Sequence, residues 1–372
     1  MYIPILPPLT FSLKVPRKQF SFPFDKYAHW TASARASIGQ LLSSFGVSKN
    51  SEVLVAAYMC SEVIIALRQM DYFVGYYNVP PNLECSIADI EPYITSKSKA
   101  VLITHYFGFP QEKIVELVEF AHQLGLIVIE DCAHTLTGMY RGEMLGTFGD
   151  GAVFSPRKIV GGPCSGIGWA KGKQIFSACC AESPQHSATR ELLSQVIERF
   201  AMDIGIHPET LKKPFKTLLR KNKRGNIPRE EPEFNRDWRH SINVQLLQFL
   251  IRHIDLYRVH KKRLRNYNLL YNLTKEGSFQ PLFTGEARDW CPYVFPVWVE
   301  NNQQKLQQKL YQAGICAATW PRLPKEVNYS TFPDAVKLKS HILLFPVHQA
   351  ISYVTIKRMS KIILQISESI SP

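Results

Sequence analysis

From about residue 50 to 170 the chain alternates short β-rich runs with helical patterns, and this alternation constrains the fold most. The strand candidates are SEVLVAAYM (51–59), YFVGYYNV (72–79), KAVLITHYF (99–107), LIVIED (126–131) and GAVFS (151–155). Between them lie SEVIIALRQ (61–69) and QEKIVELVEFAHQLG (111–125). The second repeats its apolar residues at Ile114, Leu117, Val118 and Ala121, which is helical spacing. Near-continuous apolar strands separated by helices imply a mostly parallel sheet covered on both faces, the α/β class.

Beyond residue 180 the pattern changes. Residues 183–240 are poor in strand signals and rich in charge and proline. A long helical pattern spans 241–274, followed by strand-like YVFPVWVE (293–300) and ILLFPV (342–347), with QQKLQQKLYQAG (303–314) between them. These predict a large domain over 1–245, with a basic connector at about 205–235, and a smaller α/β domain over 246–372. There is no internal repeat and no low-complexity tract.

The charge balance bears on partners. The formal net charge is +13, and part of the excess is local: 211–230 holds Lys212, Lys213, Lys216, Arg220, Lys221, Lys223, Arg224 and Arg229. A nucleic-acid reader would interleave aromatics with such residues or bring a recognisable module, and this stretch offers only Phe215, so nucleic acid is not an expected partner. A solvated connector and a grip on a diphosphate or an anionic membrane surface both remain open for it. No apolar run approaches the roughly 20 residues that cross a bilayer, so no transmembrane segment is expected. The opening MYIPILPPLTFSLKVPRK does not read as a signal peptide, lacking a charged leader and carrying prolines. Eight cysteines without a CxxC spacing predict reduced thiols and no zinc site, hence a cytoplasmic protein.

In parallel α/β sheets ligands collect at the carboxyl ends of the strands. Three strand exits carry chemistry: HYFG (105–108), EDCAH (130–134) and SPRK (155–158). A carboxylate ending a buried strand needs a partner, because an unpaired buried charge is costly. Asp131 therefore has two readings, a structural salt bridge or a functional group. Lys158 likewise is either a solubilising loop residue or an amine held where it can attack a carbonyl. A pyridoxal phosphate enzyme combines such a lysine with an acid on the ring nitrogen and donors for the phosphate. Asp131 and Lys158 lie on successive strand exits, Ser155 is three residues before the lysine, and TASARASIGQLLSSFG (31–46) opens a helical pattern with small polar residues.

Taken together, SARASIGQLL, SEVLVAAYMC, AVLITHYFG, VIEDCAHTLTGMYRGEMLGTFGDGAVFSPRK, YVFPVWVEN, GICAATWPRLP and ILLFPVHQ resemble the DegT/StrS-type sugar aminotransferases. These are fold-type I pyridoxal phosphate enzymes, and the stretches run in the family's order across nearly the whole chain. The resemblance places Lys158 where the family carries its Schiff-base lysine and Asp131 opposite the pyridine nitrogen. It puts His134 against the cofactor ring, and Ser155, Ser33 and the backbone around Ala34 and Arg35 on the phosphate. Cys60 aligns with the aromatic that covers the ring, with Tyr58 or Tyr106 as alternative stacking groups. Asn235 and Arg239, in FNRDWRHSIN (234–243), align with the segment that a neighbouring subunit contributes. Two departures stand out: Ala34 replaces a glycine, and IVGGPCSG follows the lysine where the family often reads LPVPDGG.

The resemblance implies a homodimer that moves an amino group, with glutamate as donor, onto a keto group of a nucleotide-linked sugar for polysaccharide or secondary-metabolite synthesis. No metal is implied. Two alternatives stay open. One is a sugar dehydratase of the same family, which carries histidine in place of the lysine. The other is a non-catalytic relic of the fold.

Overall fold

The computed structural model describes residues 1–8, 28–162, 164–172, 181–182, 186–212, 240–241, 251, 253–277, 279–285 and 287–370. Its centre is a seven-stranded sheet of β1 (Ala28–Thr31), β2 (Glu52–Ala56), β3 (Phe73–Tyr77), β4 (Ser98–Thr104), β5 (Ile127–Cys132), β6 (Gly151–Phe154) and β7 (Gly166–Ala170). The spatial order is β1-β7-β6-β5-β4-β2-β3. Strands β3, β2, β4, β5 and β6 are parallel, and β7 runs against both of its neighbours. All five expected strands are present, each within a few residues of its predicted range. The middle strands are buried along nearly their whole length, as a sheet covered on both faces requires.

The helices on the sheet follow local signals. Helix α1 (Ala34–Ser44) begins where the Ser33 hydroxyl accepts the Ala36 N–H, and it buries Ser37, Ile38, Leu41 and Leu42. Helix α2 (Ser61–Gln69) matches the predicted run. Helix α3 (Ile114–Gln123) buries the four residues that the apolar period picked out, Ile114, Leu117, Val118 and Ala121. It stops at Gly125, whose φ of +69° suits a left-handed C-terminal cap. Helix α4 (Pro156–Val160) is only five residues long and carries Lys158.

Helix α5 (His186–Ile204) occupies part of the strand-poor region 183–240. One element differs from expectation. The long pattern at 241–274 is not one helix: His240–Ser241 pairs as a short strand with Ala181–Glu182, and helix α6 covers Leu256–Thr274. The break comes at Asp255, whose side chain accepts the Arg258 N–H and caps a new N-terminus. Apolar spacing continues through such a break, so it hides the cap.

A second, antiparallel sheet joins β8 (Gln280–Pro281), β9 (Val294–Trp298) and β10 (Ile342–Pro346). Helices α6, α7 (Gln303–Gln312) and α8 (Tyr353–Glu368) bring buried faces to this part of the chain. The N-terminal residues join it too: Ile3 bridges Ile315, and the His348 ring bonds the Pro4 carbonyl at 3.0 Å. Among the described residues, no helix is long and apolar enough to cross a membrane. Asn235, Arg239 and most of the basic stretch, from residue 213, lie outside the described residues, as does the expected domain boundary near 245.

Candidate active site

The carboxyl ends of β5 and β6 open into one cleft with the N-terminus of α1. Its lining includes Ser33, Ala34, Arg35, Cys60, Asp131, His134, Ser155 and Lys158, every expected site residue that the structure describes apart from the alternative stacking groups. Met59, Glu62, Arg157, Cys164, Ser165, Thr319, Trp320 and Arg322 also line it.

Asp131 sits at the end of β5 and is buried. The one hydrogen bond to its side chain among the described residues comes from the Ala133 N–H at 2.9 Å. Burial pushes its carboxyl up, while the Ala133 N–H and the charge of Lys158 pull it down. A buried carboxyl with so few donors is the natural counterpart of a cation.

Its neighbour Glu130 has a different fate. It accepts the N–H groups of Gly146, Phe148 and Gly149, each at 2.8 Å, and contacts His105 Nε2 at 2.8 Å. His105 Nδ1 accepts the Gln111 N–H, so the neutral ring donates from Nε2. His105, Glu130 and Cys132 gather three potential metal ligands, but the carboxylate of Glu130 is already saturated with donors. This group braces the 146–149 turn.

His134 is held by ring packing. Phe107 lies parallel on one side, with centroids 5.6 Å apart, Tyr293 is parallel at 5.1 Å, and Trp320 meets it edge-on at 4.9 Å. Burial and, secondarily, the charge of Lys158 push its pKa well below the usual imidazole range, so the ring is neutral. Its Nδ1 accepts the Phe107 N–H at 3.2 Å, which places the proton on Nε2. That Nε2 is buried without a partner, as is the hydroxyl of Ser165. Leaving such a group unmet costs about 1–3 kcal/mol, so both atoms favour a ligand with acceptor oxygens.

Lys158 projects from α4, with Nζ 5.8 Å from the centre of the Tyr293 ring. Across the cleft, α1 presents the first N–H groups of an 11-residue helix, which have no intrahelical partners. Ser33 spends its hydroxyl on the cap. The Arg35 side chain turns to Glu62 at 2.8 Å, which leaves its backbone for an anion. Where the family has glycine at the Ala34 position, the close backbone approach in this chain comes from Gly166 on β7. A Cβ there would lie 2.2 Å from the Ser33 carbonyl carbon and 2.4 Å from the Ala34 nitrogen.

Neither Tyr58 nor Tyr106 reaches the cleft. Both are fully buried: the Tyr58 hydroxyl donates to the Trp320 carbonyl, and Tyr106 donates to the Tyr58 carbonyl at 3.0 Å. Cys60 does line the cleft, and the aromatic there is Trp320. The sequence offers Trp320 only within the matching stretch GICAATWPRLP, with no site role, because it comes from a segment about 160 residues after Lys158.

Residues 19–159 match the DegT/DnrJ/EryC1/StrS aminotransferase family. Over 133 residues the chain is 32% identical to a GDP-perosamine synthase of Escherichia coli O157:H7, a match covering 35% of this chain and 36% of that protein. Over 147 residues it is 29% identical to a dTDP-3-amino-3,6-dideoxy-alpha-D-galactopyranose transaminase of Aneurinibacillus thermoaerophilus, covering 37% and 38%. The chain thus spans about a third of the length of the curated relatives it matches. A putative sugar aminotransferase from Streptococcus pneumoniae, solved in its PLP form, superposes over 100% of both chains with a TM-score of 0.69 at 14% identity. The resemblance read from the sequence holds, and the fold is that of the fold-type I pyridoxal phosphate aminotransferases.

Proposed function

We propose that this chain, whose residues 19–159 match the DegT/DnrJ/EryC1/StrS aminotransferases, is a pyridoxal phosphate-dependent aminotransferase acting on a keto group of a nucleotide-linked sugar. One observation carries the reading: Asp131 and Lys158 leave adjacent parallel strands and line one cleft. The residues present fit the cofactor. Asp131 offers a buried carboxyl short of a cation, His134 a partnerless Nε2–H, and α1 with Ser155 an anion-binding end.

Pyridoxal phosphate, when bound, supplies a sink for the charge left on the substrate carbon. Asp131 holds a proton on the ring nitrogen by its negative charge. His134 Nε2 donates to an acceptor oxygen of the ring, and its neighbours Phe107 and Tyr293 fix that direction. The N–H groups at the start of α1 and the Ser155 hydroxyl hold the phosphate. The Lys158 Nζ takes the proton from the substrate carbon and returns it during the shift, as general base and then acid. Lysine at this place disfavours the dehydratase reading.

The reading extends to glutamate as amino donor, to a cytoplasmic homodimer in which Asn235 and Arg239 of one subunit complete the phosphate site of the other, and to a domain boundary near 245. Sugar-nucleotide transamination is supported by the activities of the relatives. One experiment addresses both chemistry and assembly. The purified protein, with pyridoxal phosphate added, should scatter light as a dimer of the 42.5 kDa chain. Borohydride should fix the cofactor on the peptide containing Lys158. A monomeric mass with activity intact refutes the dimer, and a label on another peptide refutes the assignment of Lys158.

A further inference from the structure

Lys158 belongs to a five-residue helix, too short to hold itself by cooperativity. Its carbonyls near the C-terminus need partners from elsewhere. The Gly161 N–H takes the carbonyl of Arg157. The carbonyls of Lys158 and Ile159 are taken by Arg263 of α6, whose Nη2 donates to them at 3.1 Å and 2.8 Å. The other terminal nitrogen, Nη1, donates to the carbonyls of Pro292 and Tyr293 at 3.1 Å and 2.9 Å. All four terminal N–H groups of the guanidinium are thereby used on two backbone segments.

This arginine is unusual in its setting. It is fully buried, with 0% of its surface exposed, and among the described residues it forms no ion pair with a carboxylate. Burial pushes its pKa down to about 10, so its charge is held at a cost. The two clamped segments carry the Lys158 side chain and the Tyr293 ring, which lies 5.8 Å from Nζ and stacks on His134.

We infer that Arg263 is the positioning residue that sets Lys158 against the Tyr293–His134 stack, capping the lysine helix from α6 and fixing both backbones with one fork. This rests on the reading of Lys158 as the cofactor-linked lysine. A lysine at 263 has three donors around one point and cannot reproduce the flat fork. An error of about 1 Å in placing a reacting group costs on the order of 100-fold.

The test uses the full chain carrying Arg263→Lys or Arg263→Ala. Pyridoxamine phosphate, which needs no covalent link, should bind both variants within a few-fold of the wild-type affinity, a smaller effect than that on capture. Covalent capture of pyridoxal phosphate, followed by borohydride fixation on the Lys158 peptide, should slow by about 10- to 100-fold. Guanidinium chloride in the low millimolar range should restore capture in Arg263→Ala and leave Arg263→Lys slow. A third readout needs no cofactor: acetylation of Lys158 by the N-hydroxysuccinimide ester of acetate, followed by peptide mass spectrometry, should change rate in the variants. Capture and acetylation at the wild-type rate overturn the inference. So does a parallel loss of capture, pyridoxamine phosphate binding and thermal stability in both variants, which marks a purely structural arginine. If the wild type itself captures no pyridoxal phosphate, the cofactor reading fails instead, and the acetylation rates alone decide the role of Arg263.

Discussion

Glu130 and Asp131 are adjacent carboxylates on one strand, and the two-residue period of a strand sends them to opposite faces. Glu130 meets three backbone N–H groups and a histidine. Asp131 meets one N–H and the cleft. The sequence shows two acids at a strand end, and the family motif singled out the second. The donors of Glu130 come from a turn more than ten residues away, so its bracing role was not legible. For Asp131 the structural and functional readings now give opposite signs. Burial holds its carboxyl above the usual range, so the fold bears a cost for its charge. Asp131→Asn should therefore leave the melting temperature of the cofactor-free protein unchanged or higher. The same variant should lose about 100-fold or more of the glutamate half-reaction at saturating pyridoxal phosphate, since a neutral amide cannot hold the ring proton. A clear drop in melting temperature with turnover intact would restore the salt-bridge reading.

At the scale of elements, the strands legible in the sequence were those with unbroken apolar runs. β7, GIGWA, was not among them because two glycines dilute its pattern, and β1, AHWT, is only four residues long. One of those glycines has a direct use. Gly166 is opposite Thr31 and lets β7 pass against the start of α1. A methyl group there would collide with the backbone at Ser33 and Ala34, which a rotamer change cannot relieve. Gly166→Ala should cost about 1–3 kcal/mol as an overpacked site, a fall of several degrees in a thermal melt. The collision falls on the helix end assigned to the phosphate, so affinity for pyridoxal phosphate should drop by about tenfold or more, on the order of a 1.4 kcal/mol loss. Equal cofactor affinity in the variant and the wild type would remove α1 from the phosphate site. Trp320 and Arg263 were illegible for a related reason: each reaches the cleft region only through tertiary contact from a distant element.

For the whole molecule, buried imidazoles tie stability to pH. His134, His260 and His348 are all nearly or fully buried, and burial is the main cause of a lowered pKa in each. His348 is the clearest case, pushed down to about 3 by burial and then by the charge of Arg263. Its Nε2 bonds the Pro4 carbonyl, and its buried Nδ1 has no partner to receive a proton's N–H. Unfolded, these rings take up protons around pH 6.5; folded, His134 and His348 stay neutral, and His260 takes its proton at lower pH than the free ring. The unfolded chain therefore binds more protons below pH 6.5, so the stability they contribute is complete above that value and is lost as pH falls toward the folded values. Glu84 opposes this. Burial raises its carboxyl from 4.5 to about 7, so the fold gains a proton, and stability, as pH falls through that range. Asp131, also raised, acts in the same sense. His134 and His348, neutral in the fold, are each worth about 1.4 kcal/mol at one pH unit below their unfolded pKa, and together they outweigh Glu84. The melting temperature should fall between pH 7.5 and pH 5.5. His348→Phe keeps a ring of similar size and removes one titration, so its melting temperature should start lower and its fall should be smaller by the equivalent of about 1.4 kcal/mol. Equal falls in the two proteins would show that the ring at 348 is protonated in the fold, or that its burial does not shape the response to acid.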